Sequence, residues 1–177
     1  ISTNVILNIP LISANMSDVT DSKMAISLAK LGGLGVIPRF LPIELQANEV
    51  AAVKNEKLLV GAAVGARNGI VERAEALVKA GVDILFIDVA HGHMQKNIEA
   101  TTKLKQMFGK SVDIVSGNSA TYDAADALFK AGADSVKVGV GPGSICTTRI
   151  ETGSGVPQIT AILESARAAR KHKKFII

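Results

Sequence analysis

Short apolar runs alternate along this chain with stretches in which apolar residues recur every three or four positions. Runs such as Leu58 to Val64 and Asp83 to Asp88 are too short for helices, and they lack the polar face of a half-wet strand. They therefore predict strands covered on both sides. The predicted strands are Pro10 to Ala14, Leu34 to Ile37, Leu58 to Val64, Asp83 to Asp88, Val112 to Ser116, Asp134 to Val138 and Lys174 to Ile177. The intervening helical patterns are Asp21 to Leu31, Pro42 to Lys54, Asn68 to Ala80, Gln95 to Phe108, Thr121 to Ala131 and Gln158 to Lys171. Gly32, Gly81, Gly109 and Gly132 follow helices where a left-handed residue is wanted. The segments Val78-Lys-Ala-Gly-Val-Asp83 and Phe129-Lys-Ala-Gly-Ala-Asp134 are near copies, each closing a helix and opening a strand, which marks a repeated βα unit.

The first strands begin roughly 25 residues apart, enough for one strand and one return helix, and right-handed crossovers lay such strands side by side in parallel. The expected fold is α/β, a (β/α)8 TIM barrel, present as about six βα units plus the start of strand seven. A doubly wound sheet competes, but its glycine fingerprint would follow the first strand, whereas here the glycines gather after the sixth. Residues 1–177 thus read as one partial barrel domain. The Ile1 start without an initiator Met and the stop inside strand seven predict an incomplete barrel with open edges, poorly stable and inactive alone.

Composition narrows the functional classes. Aromatics make up 3% of the 177 residues, with no Trp, while glycine numbers 16, which suits helices packed on parallel sheet. One cysteine, Cys146, excludes an intrachain disulfide framework and fits a reducing, cytoplasmic setting. No apolar run approaches the roughly 20 residues that span a bilayer. The net charge of +4 is spread along helix faces, apart from the Arg167 to Lys174 cluster. Without an aromatic stacking platform or recognition helix it points to a small anionic ligand rather than to nucleic acid.

In such a barrel the active site sits past the C-terminal ends of strands. Those segments are polar and glycine-rich: Ser13-Ala-Asn-Met-Ser17, Asp88-Val-Ala-His-Gly-His93, Ser116-Gly-Asn118 and Gly139-Val-Gly-Pro-Gly-Ser-Ile-Cys-Thr-Thr-Arg149. In the last, Gly139, Gly141 and Gly143 let backbone N–H groups approach an anion and Ser144 adds a hydroxyl. The same kinked backbone could turn carbonyls toward a monovalent cation. Cys146, beside Thr147, Thr148 and Arg149, is set up as a thiolate nucleophile. Asp88 either accepts from sugar hydroxyls or caps a turn. Asn118 reads an amide or purine edge or satisfies a turn, and Met16 offers an apolar wall to a flat base or packs its loop. His91-Gly-His93 lacks the third ligand that a zinc site needs.

The loop Gly139 to Arg149 resembles the inosine monophosphate dehydrogenase and guanosine monophosphate reductase family. The likeness extends through Gly153-Ser-Gly-Val-Pro-Gln158 and back through Asp134-Ser-Val-Lys-Val138, Ser116-Gly-Asn118 and Asp88-Val-Ala-His-Gly-His93 to Pro10-Leu-Ile-Ser-Ala-Asn-Met16. It implies a TIM barrel, usually tetrameric, whose loop cysteine attacks C2 of a purine nucleoside monophosphate to form a thioimidate. Carried onto this sequence, it makes Cys146 the nucleophile and Thr148 its activating neighbour. Ser13, Met16, Asn118, Gly143 and Ser144 would lie toward the substrate; Asp88, His91 and Gly139 toward the cofactor. The carbonyls of Gly141, Gly143 and Cys146 would hold potassium.

Within the family, Ala14-Asn-Met16 and Arg39-Phe40 with Pro42 look reductase-like, while Gly155-Val-Pro-Gln-Ile-Thr-Ala161 reads like bacterial dehydrogenases. The stretch Ile37 to Pro42 leads directly to Leu58, leaving no room for the paired regulatory domain that many dehydrogenases insert. Ser17 and Pro38 depart from the family's usual Asp and His. The expectation is a reductase using NADPH, with an NAD-dependent dehydrogenase lacking the insertion as the alternative. A noncatalytic nucleotide-binding fragment is the reading from another class.

Overall fold

The computed structural model describes residues 1–177. Six strands, β1 Gly35–Ile37, β2 Val60–Val64, β3 Ile84–Asp88, β4 Asp113–Ser119, β5 Ser135–Val138 and β6 Phe175–Ile176, pair in sequence order, every pair parallel. The return helices are α1 Ser22–Lys30 before β1, then α2 Ile43–Asn55, α3 Ile70–Lys79, α4 Gln95–Phe108, α5 Tyr122–Lys130 and α7 Gln158–His172; a short α6, Thr148–Thr152, interrupts the last connection. This is an α/β fold of the incomplete TIM-barrel kind that the periodicity predicts. No helix is long and apolar enough to cross a membrane.

Two differences from the sequence reading have local causes. Pro10 to Ala14 contributes only a single parallel bridge, Ile12 to Leu34. Pro10 has no N–H to donate to a ladder, and the ladder bonds beyond it are limited to the Leu34 N–H donating to the Leu11 carbonyl and the Ser13 N–H to the Leu34 carbonyl (3.0 Å each). Gly109 closes α4 with a right-handed φ of −63°, whereas Gly32, Gly81 and Gly132 take φ of 96°, 91° and 104°.

Alternation along the strands divides the core. Leu34, Val36, Ala63, Ile84, Phe86 and Val115 face inward with Val5, and Ile12 and Ile177 pack on that cluster from opposite edges, so the sheet is curled into a trough. The outward residues Ile37, Val60, Ala62, Val64, Leu85, Ile87 and Ile114 pack under α1 to α4, and Val136 and Val138 pack with α5 and α7.

The repeated segments explain how the strand starts are fixed. Asp83 accepts the Val60 N–H (2.9 Å) and both oxygens take Lys54 Nζ (2.9 Å) from the end of α2. Asp134 repeats this one unit pair later, with the Ile114 N–H (2.9 Å) and Lys105 Nζ (2.7 Å) from the end of α4, and adds Lys174 Nζ (3.1 Å). The repeat's glycine serves twice, turning the chain with positive φ and leaving space for the lysine stem. A Cβ on Gly132 would stand 2.9 Å from Lys105 Cγ, and one on Gly81 3.4 Å from Lys54 Cγ. Between these units, Asp113 accepts Ser2 Oγ (2.6 Å) and the Asn4 N–H (2.7 Å), so the N-terminal segment closes the floor of the trough.

Burial would push the Asp134 carboxyl up, but Lys105, the Ile114 amide and Lys174 outweigh it and hold it below the ordinary carboxylate range. Its contribution is present at neutral pH and is lost as pH falls through that lowered value. Asp134 is 1% exposed, so Asp134→Ala leaves two ammonium groups and an amide unpaired, at a cost of about 3 kcal/mol. Thermal denaturation at pH 7 should show a Tm fall of roughly 6–12 °C for a chain of this length. Asp83→Ala, at the more exposed copy, should cost less; equal losses would show that burial does not set the difference.

Candidate active site

The register places the site. Asp88 of β3 pairs with Gly117 of β4, which pairs with Lys137 of β5, and all three positions face the interior of the trough at the C-terminal end. Neighbouring strands lie about 4.8 Å apart, so a lysine can reach across one intervening strand only where nothing stands between. Gly117 supplies that opening: a Cβ there would come within 2.8 Å of Lys137 Cβ. Lys137 Nζ donates to Asp88 Oδ1 (3.3 Å) and to Asn118 Oδ1 (3.1 Å), the latter brought in by a register shift between Gly117 and Ser119.

Above this row opens a cleft of about 400 Å³ lined by Ser13, Met16, Phe40, Phe86, Asp88, Asn118 and Lys137, with Ile12 and Ile177 closing it from the two edges. The structure thus brings together Ser13, Met16, Asp88 and Asn118. The Ser13 hydroxyl is already engaged, accepting the Val36 N–H (3.2 Å) and sharing a hydrogen bond with Thr20 Oγ1 (2.8 Å), so it pins the loop that carries Met16.

His91 and His93 are exposed and neither lines the cleft; Gly92 between them is the buried residue, donating its N–H to the Asn118 carbonyl (2.8 Å). Lys137 is the residue that sequence reading passed over. One lysine in an apolar run looks like a solvent-facing position, and only the strand order and Gly117 reveal that it points into the mouth.

The cysteine loop leaves β5 two residues after Lys137. Its ends are pinned, Gly139 N–H to the Ser119 carbonyl (2.8 Å) and Val156 N–H to the Val140 carbonyl (3.1 Å), while Gly143 and Ser144 are exposed. Cys146 does not line the cleft; it stands just before α6, with Sγ 3.3 Å from Thr148 Oγ1. Hydrogen bonds from the Thr148 hydroxyl and amide, with the nearby Arg149 charge, outweigh desolvation and lower the thiol pKa.

Of the three carbonyls that the resemblance assigns to potassium, that of Gly143 already has partners within the loop. The Gly143 oxygen accepts the Cys146 N–H (3.1 Å), and Arg149 Nη2 lies 3.5 Å from it. The Arg149 stem runs between Gly141 and Gly155, where Cβ atoms would stand 2.7 and 2.6 Å from its Cγ. No group of three or more His, Cys, Asp or Glu side chains gathers as a metal site elsewhere.

A curled parallel sheet with a polar row and a lone thiol past the C-terminal ends of its strands is the arrangement of a β/α barrel. The chain belongs to the family described as the IMP dehydrogenase / GMP reductase domain, whose model matches residues 1–177. It is 39% identical over 227 residues to inosine-5'-monophosphate dehydrogenase of Borreliella burgdorferi, covering 100% of this chain and 56% of the relative. It is 38% identical over 214 residues to the Cryptosporidium parvum protein of the same name, covering 97% and 52%. Identity to the Bacillus subtilis protein of that name reaches 53% over 121 residues, 68% of this chain and 25% of the relative. The chain spans about half the length of the first two relatives.

Thr148→Val removes the hydroxyl beside the thiol. Iodoacetamide alkylation of Cys146 at pH 7 should slow by roughly threefold, with the midpoint of its pH profile moving up, because only the thiolate reacts. An unmoved midpoint would show that the backbone and Arg149 set the thiol's state.

Proposed function

We propose that the protein acts as an NAD-dependent IMP dehydrogenase. The relatives above carry that name, so the reductase reading drawn from Ala14-Asn-Met16 and Arg39-Phe40 gives way to its alternative. The observation that carries the proposal is the thiol, the chain's one cysteine, held in a thiolate-favouring setting on the loop that rises from the strand bearing Lys137. In the complete protein, residues 1–177 would belong to one catalytic barrel domain with no pair inserted between β1 and α2, which residues 38–42 alone join.

Cys146 Sγ adds to C2 of the nucleotide's purine, and the hydrogen on C2 leaves with its electron pair. A bound nicotinamide ring supplies the acceptor for that hydride. Water then attacks C2, a proton returns to sulfur, and the C2-oxidised nucleotide is released with the free thiol. Thr148 stabilises the sulfur anion before attack and again when it departs. The cleft suits a flat ring bearing an amide: Met16 and Phe86 are apolar walls, while Asp88, Asn118 and Lys137 offer acceptors and a donor. The Asp88–Lys137 pair holds both side chains in place before the ligand arrives, so less ordering remains to be done on binding.

Incubation of the complete protein with inosine monophosphate and NAD should give absorbance of the reduced cofactor at 340 nm. Cys146→Ala should abolish turnover and leave nucleotide binding in place, because the loop amides are untouched. Turnover of guanosine monophosphate with NADPH instead would restore the reductase reading, and activity persisting in the variant would assign the chemistry to another group. Asp88→Ala should raise the KM for NAD by roughly tenfold with a smaller effect on kcat, as loss of an orienting group does. An unchanged KM would leave Asp88 a structural partner of Lys137.

A further inference from the structure

Behind the polar row, on the helix side of β4, lies a cluster of polar side chains that the chemistry above does not use. Asn97 and Thr101, one turn apart on α4, and Ser116 of β4 are each 0% exposed. The Thr101 hydroxyl donates its one hydrogen to the Asn97 carbonyl (2.7 Å) and lies 2.8 Å from Ser116 Oγ, so Ser116 is the donor in that pair. Ser116 Oγ in turn accepts from Asn97 Nδ2 (3.1 Å), which closes a ring.

That ring uses one of the two hydrogens on Asn97 Nδ2. The other goes to the Gly92 carbonyl (2.9 Å), in the loop between β3 and α4. A carbonyl oxygen only accepts, so this bond fixes which way the carboxamide faces. Asn97 Oδ1 is left enclosed without a partner. A buried acceptor without a donor is a cost that an apolar side chain of the same shape would not carry. Packing therefore does not account for an asparagine at this position, whereas the bond to Gly92 does.

Gly92 leads directly to the cleft. Its N–H donates to the Asn118 carbonyl (2.8 Å), and the Asn118 N–H donates to the Val89 carbonyl (2.8 Å), so the loop grips Asn118 by both of its main-chain groups. The approach is close: a Cβ on Gly92 would stand 2.6 Å from the Asn118 carbonyl oxygen. The Asn118 side chain accepts from Lys137, which also donates to Asp88, and these three line the cleft while Asn97 does not.

We propose that Asn97 is a positioning residue for nucleotide binding: through Gly92 it holds Asn118, and with it the Lys137 ammonium, in place before a ligand arrives. Side chains set in advance leave less ordering to be done on binding, so the effect falls on affinity rather than on the chemical step. The assignment rests on the nucleotide oxidoreductase reading above and adds to it a residue outside the cleft on which the cleft's geometry depends.

Amide hydrogen exchange of the complete protein, followed residue by residue by NMR, tests the first link without any ligand. In the unsubstituted protein the Gly92 and Asn118 amides should exchange as slowly as the other amides of β4; exchange as fast as that of the exposed His91 and His93 overturns the proposal. Asn97→Leu keeps the branched shape and removes the donor. It should speed exchange of both amides by roughly tenfold and raise the KM for inosine monophosphate by roughly fivefold, with kcat held within about twofold. Thr101→Val breaks the ring on the side away from Gly92, so it should lower Tm yet leave both amides and the KM as they were.

Equal changes in the two variants, in exchange and in KM alike, would make the cluster a matter of stability and overturn the positioning role. Binding of inosine monophosphate is measured by calorimetry on the same samples. If the amide effects of Asn97→Leu hold while no nucleotide binds to any sample, the dehydrogenase reading falls and the hold of Asn97 on Asn118 stands. If the nucleotide binds Asn97→Leu as tightly as the unsubstituted protein, the dehydrogenase reading stands and the positioning role falls.

Discussion

Everything at the mouth of this sheet depends on a few carboxylates at its floor. A parallel sheet has no hairpin turns to set its register, so something else must fix where each strand begins. In this chain Asp83 and Asp134 do so, each tying the amide of the preceding strand and the lysine of an earlier helix to one side chain, while Asp113 holds the N-terminal segment beneath. A slip of one residue would turn Asp88 and Lys137 outward, because successive side chains on a strand face opposite ways. The polar row above is therefore a consequence of the ion pairs below.

The same reasoning separates the glycines by purpose. Gly81 and Gly132 make room for lysine stems at the floor, Gly117 clears the path between Asp88 and Lys137, and Gly141 with Gly155 admits the stem of Arg149. Read from composition alone, the loop glycines suggest a cradle for an anion or a cation. In the fold, two of them are small because an arginine crosses them, and that arginine contributes positive charge beside the thiol.

Much of this was legible in the sequence, for physical reasons that can be named. Burial on both faces gives parallel strands their continuous apolar runs, and the helices between them keep a regular period, so β2 to β5 and their helices were read to within a few residues. The Val78 to Asp83 and Phe129 to Asp134 copies announced the floor contacts without saying what they bind. The Pro10 to Ala14 strand was over-read, because an apolar run does not reveal whether its backbone finds a ladder. Lys137 was missed because its meaning depends on Gly117, 20 positions earlier in sequence and adjacent only through strand pairing. His91 was carried into the cofactor side by its place in a motif, whereas the structure leaves it in solvent.

The central claim is that Cys146 attacks C2 of a purine nucleotide delivered to the strand ends. Its most direct measurement is the intact mass of the protein after incubation with 2-chloroinosine monophosphate, in which sulfur forms a bond to C2 as chloride leaves. The account predicts one adduct that adds the mass of the nucleotide less hydrogen chloride, located at Cys146 and suppressed by excess inosine monophosphate. Folded protein that stays unlabelled, or labelling that the natural nucleotide does not prevent, would contradict it.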